Sequence, residues 1–199
     1  MRRAPDRLWK SPLAGLGLIL AISTLIRVLF LLELERAPEI HGPRLDGLYH
    51  HYWASALVTG DWTPPEGEAD PRIRTLSYFR PPGYPWFLAL VYTAAGSPSS
   101  LAMRISQMIL GLGSIFLTCR LGTRIQGAAA GLAAAALLAG IWTPLYFEGR
   151  WLETAPLTFL LLLTLEFAQQ ITHHPSSLRY AGAGLALGLA GWFRPNAYL

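Results

Sequence analysis

The twenty residues from Leu13 to Leu32 contain a single charge, Arg27, and similar runs recur along the chain. A helix needs roughly 20 predominantly apolar residues to cross the hydrocarbon core of a bilayer. Further runs follow at Leu101–Cys119, Gly127–Phe147 and Thr154–Ile171, and a last one begins near Tyr180. Each is apolar all round, without the one-sided stripe of a helix that lies on a soluble core. The chain is therefore expected to be all-α, a polytopic helical membrane protein with about five spans at 13–32, 101–119, 127–147, 154–171 and 180–199.

Charge supports this reading. Charged residues make up 14% of the chain, against about 25% in an ordinary soluble domain. Eight of the twelve acids lie between Glu33 and Asp70, which leaves the other stretches nearly uncharged. The net charge of +4 does not point to nucleic acid, because the basic residues flank apolar runs and form no stripe. The single cysteine, Cys119, allows no intrachain disulfide. Although Arg2, Arg3, Arg7 and Lys10 precede the first run as in a signal peptide, the run is too long and no small-residue cleavage site follows it. Gly127-Ala-Ala-Ala-Gly131 and Gly182, Gly184, Gly188 and Gly191 read as close helix–helix packing, since no phosphate ligands follow them.

Loop charge gives an orientation. The N-terminus is basic and Arg120-Leu-Gly-Thr-Arg124 reads as a short basic turn, so the positive-inside rule puts both in the cytoplasm. Residues 33–100 are then an external loop with interfacial helices, residues 148–153 a second external turn, and His173 to Arg179 internal. Trp86–Ala95 is apolar but only about half a span long, and it reads as a helix in the outer interface. The expected location is a bacterial or archaeal plasma membrane.

The long external loop is where chemistry is expected, because loops of this length are commonly functional. It carries Asp46, Tyr49 and Ala54 near its start and Arg80-Pro81-Pro82 near its end. Gly96-Ser-Pro-Ser-Ser-Leu-Ala-Met-Arg104 and Leu121-Gly-Thr-Arg124 follow. Glu153 then opens the fourth span, and the last Gly-rich segment ends in Arg194-Pro195. In that order and spacing the chain resembles the GT-C glycosyltransferases, specifically the protein mannosyltransferase and aminoarabinose transferase group. The resemblance implies a membrane enzyme that moves a sugar from a polyprenyl-phosphate donor to a glycan, lipid or protein acceptor. It also implies further spans beyond Leu199, so that this N-terminal part alone would be inactive.

Such a transfer needs a carboxylate to take the acceptor's proton and cations to stabilise the leaving phosphate. By position and resemblance, Asp46 fits the first role and Arg80 the second. Glu153 matches the family's second acid, a helper carboxylate or metal ligand. Tyr49, Arg150 and Arg194 are the further candidates for substrate contact. Each residue also has a plainer reading: Asp46 as a helix cap, Glu153 as an acid at a helix N-terminus, and the arginines as interface anchors. His50 and His51 are adjacent and cannot form an i, i+4 ligand pair; a divalent metal, with Asp46 or His41 completing its site, is left open. Arg27 and Glu166, inside spans, read as snorkelling or paired charges. A transporter or flippase half for a lipid-linked substrate would place its charges near the midplane in repeated halves, whereas here they gather on one loop. A non-catalytic scaffold would tolerate loss of Asp46 and Arg80.

The orientation is testable. In a Cys119→Ser background, Ser77→Cys and Ser99→Cys should both react with an impermeant thiol reagent from outside. Labelling of Ser99→Cys only from the cytoplasm would reverse the topology from that point on.

Overall fold

A computed structural model describes residues 12–36, 43–63 and 80–195, and among these every regular element is helical. In chain order they are α1 (Pro12–Arg36), α2 (Asp46–Thr59), α3 (Gly83–Ala95) and α4 (Ser100–Gln126), followed by α5 (Ala128–Gly140), α6 (Trp142–Glu148), α7 (Thr154–His173) and α8 (Ser177–Phe193). Within the described residues, α1, α4 and α7 are long and apolar enough to cross a membrane, and α5 with α6 makes a fourth candidate. The chain is thus an all-α membrane protein. Its outward surface agrees, since Leu18, Ile22, Leu25, Leu29 and Leu32 of α1 point away from the bundle.

Three boundaries differ from the sequence reading. The run 127–147 is not one helix but two, bent by 57° at Ile141. Pro144 explains the break: it has no N–H for the carbonyl of Gly140, and its ring would clash with that carbonyl in a continuous helix. The basic segment 120–124 is not a turn, because α4 continues through it to Gln126 and ends at Gly127, whose φ of +89° lies in the region that favours glycine. The last segment is helical over Ser177–Phe193, about 25 Å of rise. Residues 196–199 of that expected span lie outside the described residues. Trp86–Ala95 falls within the short helix α3, and Ser77 and His41 lie outside the described residues.

Helix α4 is the spine, touching α1, α3, α5, α6 and α7. Against α5 it packs backbone to backbone. A methyl group on Gly131 would lie 2.5 Å from the Cys119 carbonyl oxygen, and one on Gly122 would lie 2.9 Å from the Gly131 Cα. Leu16, Ile115, Cys119, Leu132 and Ala135 fill the core between α1, α4 and α5. At the other end of the bundle a second core gathers Ala54, Tyr84, Leu88, Tyr92, Met103, Trp151 and Phe193, which seats α2 and α3 on the ends of α4 and α8. The Trp151 indole donates to the Tyr92 hydroxyl at 3.0 Å, and that hydroxyl is hydrogen-bonded to His51 Nδ1 at 2.8 Å.

Charges inside the helices are paired. Arg27 of α1 reaches Glu148 of α6 at 2.6 Å, both side chains being buried. Arg120 and Arg124 each reach Glu166 of α7 at 2.9 Å, which holds the far end of α4 against α7. An intramembrane charge without such a partner would be expensive.

Gly131→Ala should push α4 and α5 apart and destabilise the protein by about 1–3 kcal/mol, the usual scale of overpacking. Gly184→Ala, whose methyl group would meet nothing within 4 Å, serves as the control and should leave the unfolding midpoint unchanged or slightly raised, since alanine favours a helix over glycine.

Candidate functional site

The loop helix α2 opens at Leu45, the one non-glycine described residue with positive φ (+50°), so the chain turns sharply into Asp46. Leu45 holds the N-cap position, and Asp46 is the first helical residue. Its carboxylate is taken by Arg80, whose Nη1 lies 2.9 Å from Oδ2 and whose Nη2 lies 2.5 Å from Oδ1. This two-pronged contact is the strong form of an ion pair, because a rigid guanidinium fork matches a carboxylate. The capping alternative is therefore overturned: the acid faces a cation, although its place at a helix N-terminus also suits its charge. Arg80 in turn lies over the Tyr49 ring, its guanidinium carbon 5.8 Å from the ring centre. Tyr49 is buried, so it supports Arg80 from below.

One turn along α2, on the face that carries Asp46, stands His50. It is buried, edge-on to the Tyr84 ring at 5.0 Å, and its Nε2 lies 3.9 Å from Glu153 Oε2. Burial, helped by the positive charge of Arg80, lowers its pKa to about 4 and outweighs the opposing effect of Asp46. His50 is thus neutral near pH 7, and its contact with Glu153 is not an ion pair there. The other Glu153 oxygen lies 3.7 Å from Arg194 Nε. Glu153, which precedes α7, makes no side-chain cap, so its carboxylate is directed at His50 and Arg194. Both separations exceed hydrogen-bonding distance, which leaves lone pairs of Glu153 available to a third partner.

On the other side of Asp46 a cavity of about 410 Å³ opens between the start of α2 and the turn after α6. Arg44, Asp46, Tyr146, Arg150 and Leu152 are among its lining residues. Arg150 stacks on the Tyr146 ring with its guanidinium carbon 4.8 Å from the ring centre. Gly47 makes this close approach feasible, since a methyl group there would meet the Trp151 Cβ at 3.0 Å.

The six sequence candidates thus fall into three touching groups: Asp46, Arg80 and Tyr49; Glu153 and Arg194, with His50 bridging toward the first group; and Arg150 across the cavity. Arg44 escaped sequence reading because an arginine beside a long loop looks like any surface charge. Gln107 of α4 also escaped, although a lone amide inside an apolar helix was a signal that could have been read. Among the described residues no group of three or more His, Cys, Asp or Glu side chains converges as a metal site would require. A second cavity, about 290 Å³ and lined by Trp86, Phe87, Leu90, Phe159, Leu189 and Trp192 among others, lies between α3, α4, α7 and α8 and is wholly apolar.

His50 gives the site a pH signature. An unfolded histidine takes up its proton near pH 6.5, while the folded one resists until about pH 4. Its contribution to stability is therefore complete above about pH 6.5 and is lost as the pH falls toward 4, an effect of roughly 3 kcal/mol at full extent. The unfolding midpoint should drop over that interval, and more shallowly in His50→Phe. Equal slopes would show that His50 is not held neutral.

No match was found among curated proteins or among solved structures. Residues 79–199, from just before Arg80 through α3 to the end of the chain, match the family described as dolichyl-phosphate-mannose-protein mannosyltransferase. That region carries Arg80, Arg150, Glu153 and Arg194, whereas Asp46 and Tyr49 precede it. With well over half of its length matched, the chain belongs to the dolichyl-phosphate-mannose-protein mannosyltransferase family of membrane glycosyltransferases.

Proposed function

We propose that the protein transfers one sugar, with inversion, from a polyprenyl-phosphate donor to an acceptor hydroxyl at the outer face of the membrane. The observation that carries this reading is the Asp46–Arg80 pair at the rim of the 410 Å³ cavity, with Arg44 and Arg150 also on its wall. An acid for the acceptor and cations for a phosphate are what the reaction needs, and here they adjoin one another. The apolar 290 Å³ cavity begins at Gly83, three residues after Arg80, and suits a polyprenyl chain entering from the lipid. The basic residues Arg120, Arg124 and Arg179 lie toward the opposite end of the bundle, which agrees with an outward-facing site by the positive-inside rule.

In this mechanism the acceptor oxygen attacks the sugar's anomeric carbon. The bond from that carbon to the phosphate oxygen breaks, its electron pair leaves with the polyprenyl phosphate, and Asp46 takes the hydroxyl proton. Arg80 first holds Asp46 and then exchanges it for the donor phosphate. The arriving phosphate thereby frees the carboxylate as a base. Tyr49 keeps the guanidinium level during the exchange, Arg150 and Arg194 add positive charge around the phosphate, and Glu153 orients the acceptor. The acceptor is a protein hydroxyl, a lipid or a growing glycan, and any divalent metal would have to be recruited by Asp46 and Glu153.

Asp46→Asn preserves shape but removes the basic lone pair. Transfer per folded molecule should fall by roughly a hundredfold or more while the donor still binds. Arg80→Ala should instead weaken donor binding, because a phosphate partner is lost. Wild-type turnover in Asp46→Asn would sink the catalytic assignment.

A further inference from the structure

Arg150 and Glu153 belong to the turn 149–153, a short irregular stretch between two helices. Helix α6 is only seven residues long; the Gly149 and Arg150 N–H groups close on its Tyr146 and Phe147 carbonyls, and its last carbonyl, that of Glu148, looks outside the helix for a donor. That donor is Gln107 of α4. Its Nε2 donates to the Glu148 carbonyl at 3.0 Å and to the Arg150 carbonyl at 2.7 Å. Two acceptors on one side force the amide's orientation, since only its NH₂ can serve both. Its Oε1 is then left to accept from the Tyr84 hydroxyl at 3.3 Å, and Gln107 is fully buried. The Arg150 carbonyl also accepts from the Leu152 N–H at 2.9 Å, so the middle of the turn is tied to α4 and to itself.

The neighbours of Gln107 on the same face of α4 serve the same turn. Arg104, one turn earlier and fully buried, lies over the Trp151 ring at 5.6 Å and pairs with Glu35 at 2.5 Å. Gly111, one turn later, leaves room for the Glu148 carboxylate, which a methyl group there would meet at 2.0 Å. Residues 104, 107 and 111 form one stripe of a helix, so α4 presents a continuous mould for residues 148–151.

We propose that Gln107 is the positioning residue of the transfer site. By holding the carbonyls on either side of Gly149, it fixes the direction in which Arg150 enters the cavity beside Asp46 and the height at which Glu153 meets His50 and Arg194. It touches no substrate and acts through the turn. Its link to catalysis rests on the proposed function, whereas its hold on the turn does not.

The test uses the full-length protein in nanodiscs, in a Cys119→Ser background, with a nitroxide spin label on Leu152→Cys and a control label on Ser99→Cys. Gln107→Leu keeps the bulk and removes every hydrogen bond. It should raise the ratio of open to closed turn by about tenfold or more, as expected when buried carbonyls lose their donor. That change would appear as a mobile component in the spectrum at 152 with none at 99. An unchanged line shape at 152, or equal loosening at both positions, would overturn the proposal. If Gln107→Leu does not fold, Gln107→Met decides: it keeps the unbranched shape and lacks the N–H donors, and an immobile label at 152 would overturn the proposal in the same way. Because no turnover is read, full activity in Asp46→Asn would refute the transfer mechanism and leave this positioning role standing.

Discussion

A buried ion pair inside an apolar layer sets the frame for the rest of the molecule. Arg27 and Glu148 come from α1 and α6, far apart in sequence, and neither side chain reaches solvent. Each charge would be prohibitive alone, so the two segments must meet and must meet at that depth. The bend at Ile141 lets them do so, because it turns α6 out of the line of α5. Gly111 lets them do so against α4. The end of α6 is thereby pinned, and the turn that carries Arg150 and Glu153 starts from a fixed point.

From that point the site is assembled by residues that do no chemistry in the proposed mechanism. Gln107 and Arg104 on α4 receive the turn, and Trp151 ties it through Tyr92 to α3 and through His51 to α2. Helix α2 then lies on the turn at Gly47 and brings Asp46 to the cavity wall. Two segments separated by a long stretch of chain thus share one pocket, and a third brings Arg80 to the Asp46 at its wall. The shared pocket is what a transfer between a lipid-bound donor and a separate acceptor requires, since both must be held in register before the bond breaks.

The Asp46–Arg80 pair gives that pocket a resting state. A carboxylate held by a two-pronged arginine is neither a free base nor an unpaired charge. Its neighbour His50, kept neutral by burial, adds no competing cation. In the proposed mechanism the donor's phosphate is the only anion that must enter, and it meets Arg80, Arg150 and Arg44 together around the cavity.

The sequence by itself determined the helical membrane class, because uncharged runs of span length have no other stable home. It also singled out Asp46 and Arg80 on the long loop, and Glu153, Arg150 and Arg194 at the ends of spans, by their position and by the order and spacing that resemble the family. The small residues at Gly127–Gly131 announced close packing, and the tight approach at Gly131 to α4 is that packing. The bend between α5 and α6 was written in Pro144 but hidden by an apolar run that reads as continuous. Tertiary structure alone decided that Asp46 faces Arg80 instead of capping α2, that Glu148 meets Arg27, and that Gln107 faces two carbonyls. Each of these pairings joins segments distant in the chain, and local periodicity holds no record of which side chains a folded bundle brings face to face.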